Sequence, residues 1–149
     1  MTPQAVAEAT RDAMWAKDHA CVGLGLQVRA IGPGSATLSM VVREDMLNGH
    51  GIGHGGFIAL LADSAFAYAC NAYNEVTVAA GFDMNLFTAA RLGDVLTATA
   101  REVSKTSRTG VYDIDVVNQS GQPVAAFRGR SHTMKGKPLV AGLPMGKSP

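Results

Sequence analysis

The residues best equipped for chemistry fall in one stretch: Asn48, His54, the pair Gly55-Gly56, and Asp63. Asn48 to Gly56 reads Asn-Gly-His-Gly-Ile-Gly-His-Gly-Gly, and Phe57 to Ala69 is almost wholly apolar. Asp63 is the only charged residue between Phe57 and Asn74. Aspartate is a poor helix-interior residue, and a buried carboxylate is costly unless paired, hydrogen-bonded or protonated. One placed inside an apolar helix is a functional-site candidate. The start of that helix offers a complement. Free N–H groups at a helix N-terminus carry partial positive charge and suit an anionic oxygen. Gly55 and Gly56 have no side chain to keep a ligand carbonyl away. Such a place can serve as an oxyanion hole for acyl transfer, with Asp63 as general base or nucleophile.

Helix geometry adds a condition. Asp63 lies eight residues after Gly55, which is roughly 12 Å along the axis at ~1.5 Å per residue. One carbonyl cannot touch both. If the two act together, the aspartate comes from a neighbouring subunit, and a dimer interface builds two equal sites.

Other readings compete. Gly51 to Gly56 formally matches G-x-G-x-x-G, but the βαβ context of a dinucleotide fold is missing, since strands follow strands. His50, His54 and Asp63 do not form a metal set of defined geometry, because His50 sits among glycines rather than on a helix. Taken singly, His54 also suits a helix start, Asn48 a turn, and Asp63 a structural acceptor. The combination points to acyl chemistry.

The elements that must position these groups follow from the pattern. Thr2-Pro3 marks a helix start, and Val6, Ala9, Ala13 and Met14 recur at helical spacing to about Lys17. Leu24–Ile31 and Ala36–Val42 read as a hairpin around Gly32-Pro33-Gly34. A glycine-rich loop, Arg43 to Gly53, precedes a helix from Gly55 to about Tyr73. Being apolar on nearly every face, that helix is buried. Val76–Phe87, Asp94–Ser104, Gly110–Asn118 and Pro123–Met134 read as strands with turns between them, hence antiparallel. The expected architecture is α+β, an antiparallel sheet wrapped around one long central helix. The organisation expected is an N-terminal helix (1–20), one domain (21–135) and a loose Gly/Pro-rich tail (136–149).

Composition agrees with this reading. The chain has 149 residues, 47% hydrophobic and 17% charged, with net charge +1, so nothing global points to nucleic acid or an anionic membrane. Cys21 and Cys70 read as free thiols in a reducing compartment. No signal-peptide pattern opens the chain, and Phe57–Ala69 is too short to span a bilayer. A cytosolic protein is expected.

The motif His54-Gly55-Gly56, with Asp63 nine residues after His54 and Asn48 upstream, resembles the PaaI-type branch of the hotdog-fold acyl-CoA thioesterases. The runs Ala62–Asn71, Gly110–Gln119 and Phe127–His132 are similar to its phenylacetate-pathway members. The resemblance covers roughly residues 20 to 135. It implies a hotdog fold whose pairs join their sheets and assemble as tetramers, and hydrolysis of phenylacetyl-CoA or hydroxyphenylacetyl-CoA. Asp63 would be the catalytic carboxylate and the Gly55 amide the carbonyl donor, with Asn48 and His54 supporting that geometry. Some relatives carry a hydroxyl near Gly81 that helps place water; here Ser64 or Thr88 would substitute. Gly56 and Phe57 would contact the substrate, and Arg91, Lys105 and Arg108 are candidates for the CoA phosphates. No cofactor or metal is expected, since CoA is part of the substrate. The alternatives are a thioesterase for medium-chain aliphatic acyl groups and a non-catalytic acyl-CoA binding module. The module has no need of Asp63.

Overall fold

A computed structural model describes residues 1–147. Helix α1 spans Pro3–Trp15, and the Thr2 hydroxyl caps it by accepting from the Ala5 N–H. A short helix α2, His19–Gly23, follows between the expected N-terminal helix and the first strand; the Asp18 carboxylate caps it by accepting from the Cys21 N–H. That turn delays the first strand, expected from Leu24, to β1 at Gln27–Gly32. Strand β2, Ser35–Val41, completes the hairpin. Glu44–Met46 is a single 3₁₀ turn within the glycine-rich loop. Helix α3 then spans Gly55–Cys70. Strands β3 (Thr77–Leu86), β4 (Val95–Lys105), β5 (Thr109–Val117) and β6 (Pro123–Thr133) follow within a residue or so of expectation.

The six strands form one antiparallel sheet in the order β1-β2-β4-β5-β6-β3. Helix α3 carries the chain across the concave face, so β3 pairs with β6 at the far edge instead of with β2. Bulges in β3 (between Ala79 and Gly81) and β4 (between Glu102 and Ser104) add the local bend that lets a sheet curl. Ile58, Leu61, Ala62, Ala65, Phe66 and Ala69 pack α3 onto this face. Gly129 is the contact that sets the depth: a Cβ there would lie 2.7 Å from the Phe66 ring.

The sheet covers α3 on one side only. Gly56, Ala59, Leu60, Asp63 and Ala67 share the other side at helical spacing and stay partly exposed. Beside them, the edge strand exposes Phe82 (45%) and Leu86 (52%), with Phe87 (59%) just after it. An apolar helix face next to an apolar sheet edge is unfinished as a monomer surface.

Helix α3 ends at Cys70, three residues before expectation. The Asn71 amide donates to Ala67 O and Thr77 O, and its Oδ1 accepts from the Thr77 N–H, turning the chain into β3. The tail, expected loose, is tethered through residue 147. Asn74, fully buried and in the left-handed region at φ 59°, accepts from the Leu139 and Val140 N–H groups and donates to the carbonyls of Val140, Leu143 and Pro144. Glu75 accepts from the Gly136 N–H and pairs with Lys135.

Candidate active site

Loop residues 47–54 set the start of α3. Asn48 Oδ1 accepts from the N–H groups of His50 (2.9 Å) and Ile52 (3.3 Å). Its oxygen therefore shapes the loop, and it bonds to neither His54 nor Gly55. The loop is held from outside by Gly53 N–H donating to Ala90 O (2.7 Å) and His54 N–H donating to Met46 O (2.8 Å).

His54 is the N-cap of α3, and its Nδ1 accepts from the Gly56 N–H at 3.2 Å. The Phe57 and Ile58 N–H groups both reach His54 O. Of the donors that open the helix, only the Gly55 N–H has no partner among the described residues. Gly56 is thus not a free donor, because its N–H is held by the His54 imidazole. Phe57 is half-buried beside this point.

Asp63 sits two turns on, half-buried on the uncovered face of α3. No hydrogen bond or ion pair to it exists among the described residues. Burial raises its carboxyl above the ordinary aspartate value, and a half-desolvated carboxylate of this kind has the basicity a proton acceptor needs. The axial gap of roughly 12 Å to Gly55 stands, because both residues lie on one continuous helix.

The neighbours of Asp63 are not reactive. The Ser64 hydroxyl donates to Leu60 O (2.7 Å) and accepts from Cys21 Sγ (3.3 Å), so it is committed to packing α2 on α3. Burial pushes the thiols of both Cys21 and Cys70 up to about 12, which leaves neither as a thiolate nucleophile. A hydroxyl at position 81 would face away, since a Cβ on Gly81 points at Arg130 on the outer face of the sheet.

Leu86 was not singled out in the sequence. A Cβ on Gly55 would lie 3.2 Å from Leu86 Cδ1, so this side chain flanks the free amide. The period-2 pattern of β3 holds the signal: Phe82, Met84 and Leu86 oppose Gly129, Phe127 and Ala125 on the helix-facing side. Of the apolar residues on α3, Leu61 and Phe66 are fully buried in the core and cannot line a pocket at Gly55, whereas Phe57 and Leu60 remain at its rim.

The candidate phosphate ligands divide. Arg91 precedes β4, near the loop that Ala90 pins to Gly53. Lys105 ends β4, with its Nζ 5.6 Å from the Tyr73 ring centroid beyond the other end of α3, and Arg108 lies in the next turn. Strand β4 separates the two groups by roughly 30 Å, so one protomer does not bring them together. Among the described residues, no cluster of three or more His, Cys, Asp or Glu side chains could hold a metal, and no helix is long and apolar enough to cross a membrane.

Residues 50–125, which contain the free amide and Asp63, match the family model of the thioesterase superfamily. The chain belongs to that superfamily. This thioesterase is 43% identical over 124 residues to the acyl-coenzyme A thioesterase PaaI of Escherichia coli K12, covering 83% of this chain and 89% of the relative. Its fold superposes on a structure of the E. coli PaaI protein from the phenylacetic acid degradation operon with a TM-score of 0.89, at 40% identity, covering 91% and 99% of the two chains. A Streptococcus mutans UA159 protein bound to acetyl CoA matches with a TM-score of 0.72, at 25% identity, covering 75% and 90%. The expected α+β hotdog architecture is the one observed.

Proposed function

We propose that the protein is a cytosolic, homo-oligomeric acyl-CoA thioesterase that acts on phenylacetyl-CoA or its ring-hydroxylated relatives. Each site is built from the Gly55 amide of one protomer and Asp63 of another. The observation that carries this reading is the pairing of an unpartnered Gly55 N–H with an unpaired mid-helix carboxylate on the one face of α3 left uncovered. An antiparallel pairing of two α3 faces would bring each Asp63 to the other's Gly55, and joining the β3 edges would continue the sheet. Further assembly of such pairs gives tetramers.

In this site the Gly55 N–H donates to the thioester oxygen as it becomes an oxyanion. Asp63 takes a proton from water, whose oxygen attacks the carbonyl carbon. Collapse of the tetrahedral intermediate breaks the C–S bond, and the CoA thiolate leaves and is protonated. Direct attack by Asp63 would instead form an acyl-aspartyl anhydride; ¹⁸O appearing in Asp63 after single-turnover hydrolysis in ¹⁸O water, from attack of water on the aspartyl carbonyl, identifies that route. No cofactor is required. Phe57, Leu60 and Leu86 supply apolar walls that suit an aromatic ring. Such walls discriminate by only about 1–3 kcal/mol per methylene. Release of free thiol from phenylacetyl-, butanoyl- and decanoyl-CoA tests the assignment: the aryl ester should have the highest kcat/KM. An aliphatic ester tenfold better overturns the aryl assignment, and no thiol release from any ester leaves the binding module.

Arg91, Lys105 and Arg108 hold the CoA phosphates, the first and the other two from different protomers, given their separation along β4. Reversing each charge should raise KM for the CoA ester and not for a small thioester lacking the nucleotide. Equal effects on both substrates reject the assignment.

A further inference from the structure

Glu102 lies on the core-facing side of β4, opposite Tyr112, at the end of the sheet that meets the C-terminal end of α3. A carboxylate facing a core needs full compensation. Two tyrosine hydroxyls converge on one of its oxygens: Tyr73 donates to Oε1 at 2.8 Å and Tyr112 donates to the same atom at 3.2 Å. The other oxygen, Oε2, is met by the ammonium of Lys147 on the tethered tail. Burial raises the Glu102 carboxyl, but these donors outweigh it and leave it below the ordinary range. Beside this carboxylate is a cavity of about 540 Å³, with Val6, Ala72 and Pro144 among its apolar walls and Tyr73, Arg101, Glu102 and Lys147 at its polar side, the Arg101 guanidinium being paired with Asp113. Its size is that of a small-molecule site, and nothing in the thioester chemistry uses it.

We infer that this cavity is a binding site for a primary organic ammonium ion carried on a short apolar chain, with Lys147 as the chain's own occupant. The two tyrosines hold Oε1 fixed, so Oε2 is presented in one orientation to a cationic donor. The apolar walls accept the carbon chain. A ligand must displace Lys147, and an internal occupant lowers apparent affinity by the fraction of time it holds the site.

Isothermal titration of the intact protein with n-hexylamine at neutral pH tests this, with n-hexanol as the uncharged probe. The amine should bind and the alcohol should not. Lys147→Met removes the occupant, and should tighten amine binding about tenfold while thiol release from acyl-CoA is unchanged. Glu102→Gln should abolish amine binding. Hexanol binding as tightly as hexylamine shows a merely apolar cleft and overturns the inference. So does a Lys147→Met variant with no gain in affinity, a result that decides even if Glu102→Gln does not fold.

Discussion

Replacing Gly55 by proline tests the amide directly, because the structure makes proline a mild change there. Gly55 is the first residue of α3, where proline is favoured since the N–H has no intrahelical acceptor. His54 has φ −64° and ψ 132°, the extended conformation preferred before proline. Gly55→Pro therefore deletes the unpartnered donor and leaves the cap and the helix. The Cβ it adds lies 3.2 Å from Leu86 Cδ1, the far end of a flexible side chain, and its ring Cδ takes the place of the amide hydrogen. Gly55→Ala adds the same Cβ but keeps the N–H, so the ratio of the two variants reads the loss of the open N–H, donor and docking space together. Losing one oxyanion-hole donor lowers kcat by roughly 10²–10³, or about 2.7–4 kcal/mol. Gly55→Pro should fall by that factor below Gly55→Ala in a thiol-release assay, with native circular dichroism. Coexpression extends the test to the shared site. Mixing Gly55→Pro with Asp63→Asn yields heterodimers in about half of pairs, each with one intact Gly55–Asp63 site. Activity should recover to about a quarter of wild type from two nearly inactive parents. Equal activity of the proline and alanine variants refutes the amide's role, and a mixture no better than its parents refutes sharing between protomers.

Asp63→Asn should lower kcat by about 10²-fold or more while stabilising the fold. Burial raises the folded-state pKa of Asp63, so its charged form disfavours folding. The variant should therefore have the higher Tm, compared at fixed protein concentration. With falling pH, Asp63 protonates in the folded state first and wild type gains stability. The gap between the two should therefore start to close below the raised value, and finish near the ordinary 3.8. A less stable Asp63→Asn, measured by calorimetry across pH, contradicts the desolvation argument. Asn74→Gly keeps the φ of 59° accessible but removes the hub that holds the tail. It should lower Tm by about 6 °C for a loss of roughly 2 kcal/mol, and expose 136–147 to limited proteolysis without changing kcat; a protease-resistant tail rejects the hub.

What was legible in the sequence were features that repeat. Strand-forming runs rich in Val, Thr, Ile and Ala, with turn residues between them, placed β3 to β6 within a residue or so, and an unbroken apolar run placed α3. Such runs mark strands but not their neighbours, so they could not say that β3 crosses to the far edge, which α3 decides by lying across the concave side. Isolated contacts carried no periodic signal. Asn74 organises the tail through one left-handed residue and five hydrogen bonds, and a Gly/Pro-rich tail reads as loose until that partner is known. The roles within the motif also depend on contacts that spacing does not encode. His54 and Asn48 read as site-lining groups, yet the imidazole occupies the Gly56 N–H and the Asn48 oxygen occupies its own loop. With the Gly56 N–H taken by the imidazole, Gly55 carries the one unpartnered donor at the start of α3 among the described residues. The helical rise alone already separated that donor from Asp63. The structure adds that Asp63 shares the uncovered face of α3 with Gly56, Ala59, Leu60 and Ala67, beside the apolar edge of β3. Whatever covers this surface must be apolar, must end an open sheet edge, and must tolerate an unpaired carboxylate. A second copy, antiparallel, meets all three conditions, because it presents the same edge and face and brings a free amide to each carboxylate. A binding module would gain the same cover without any reason to keep Asp63 there.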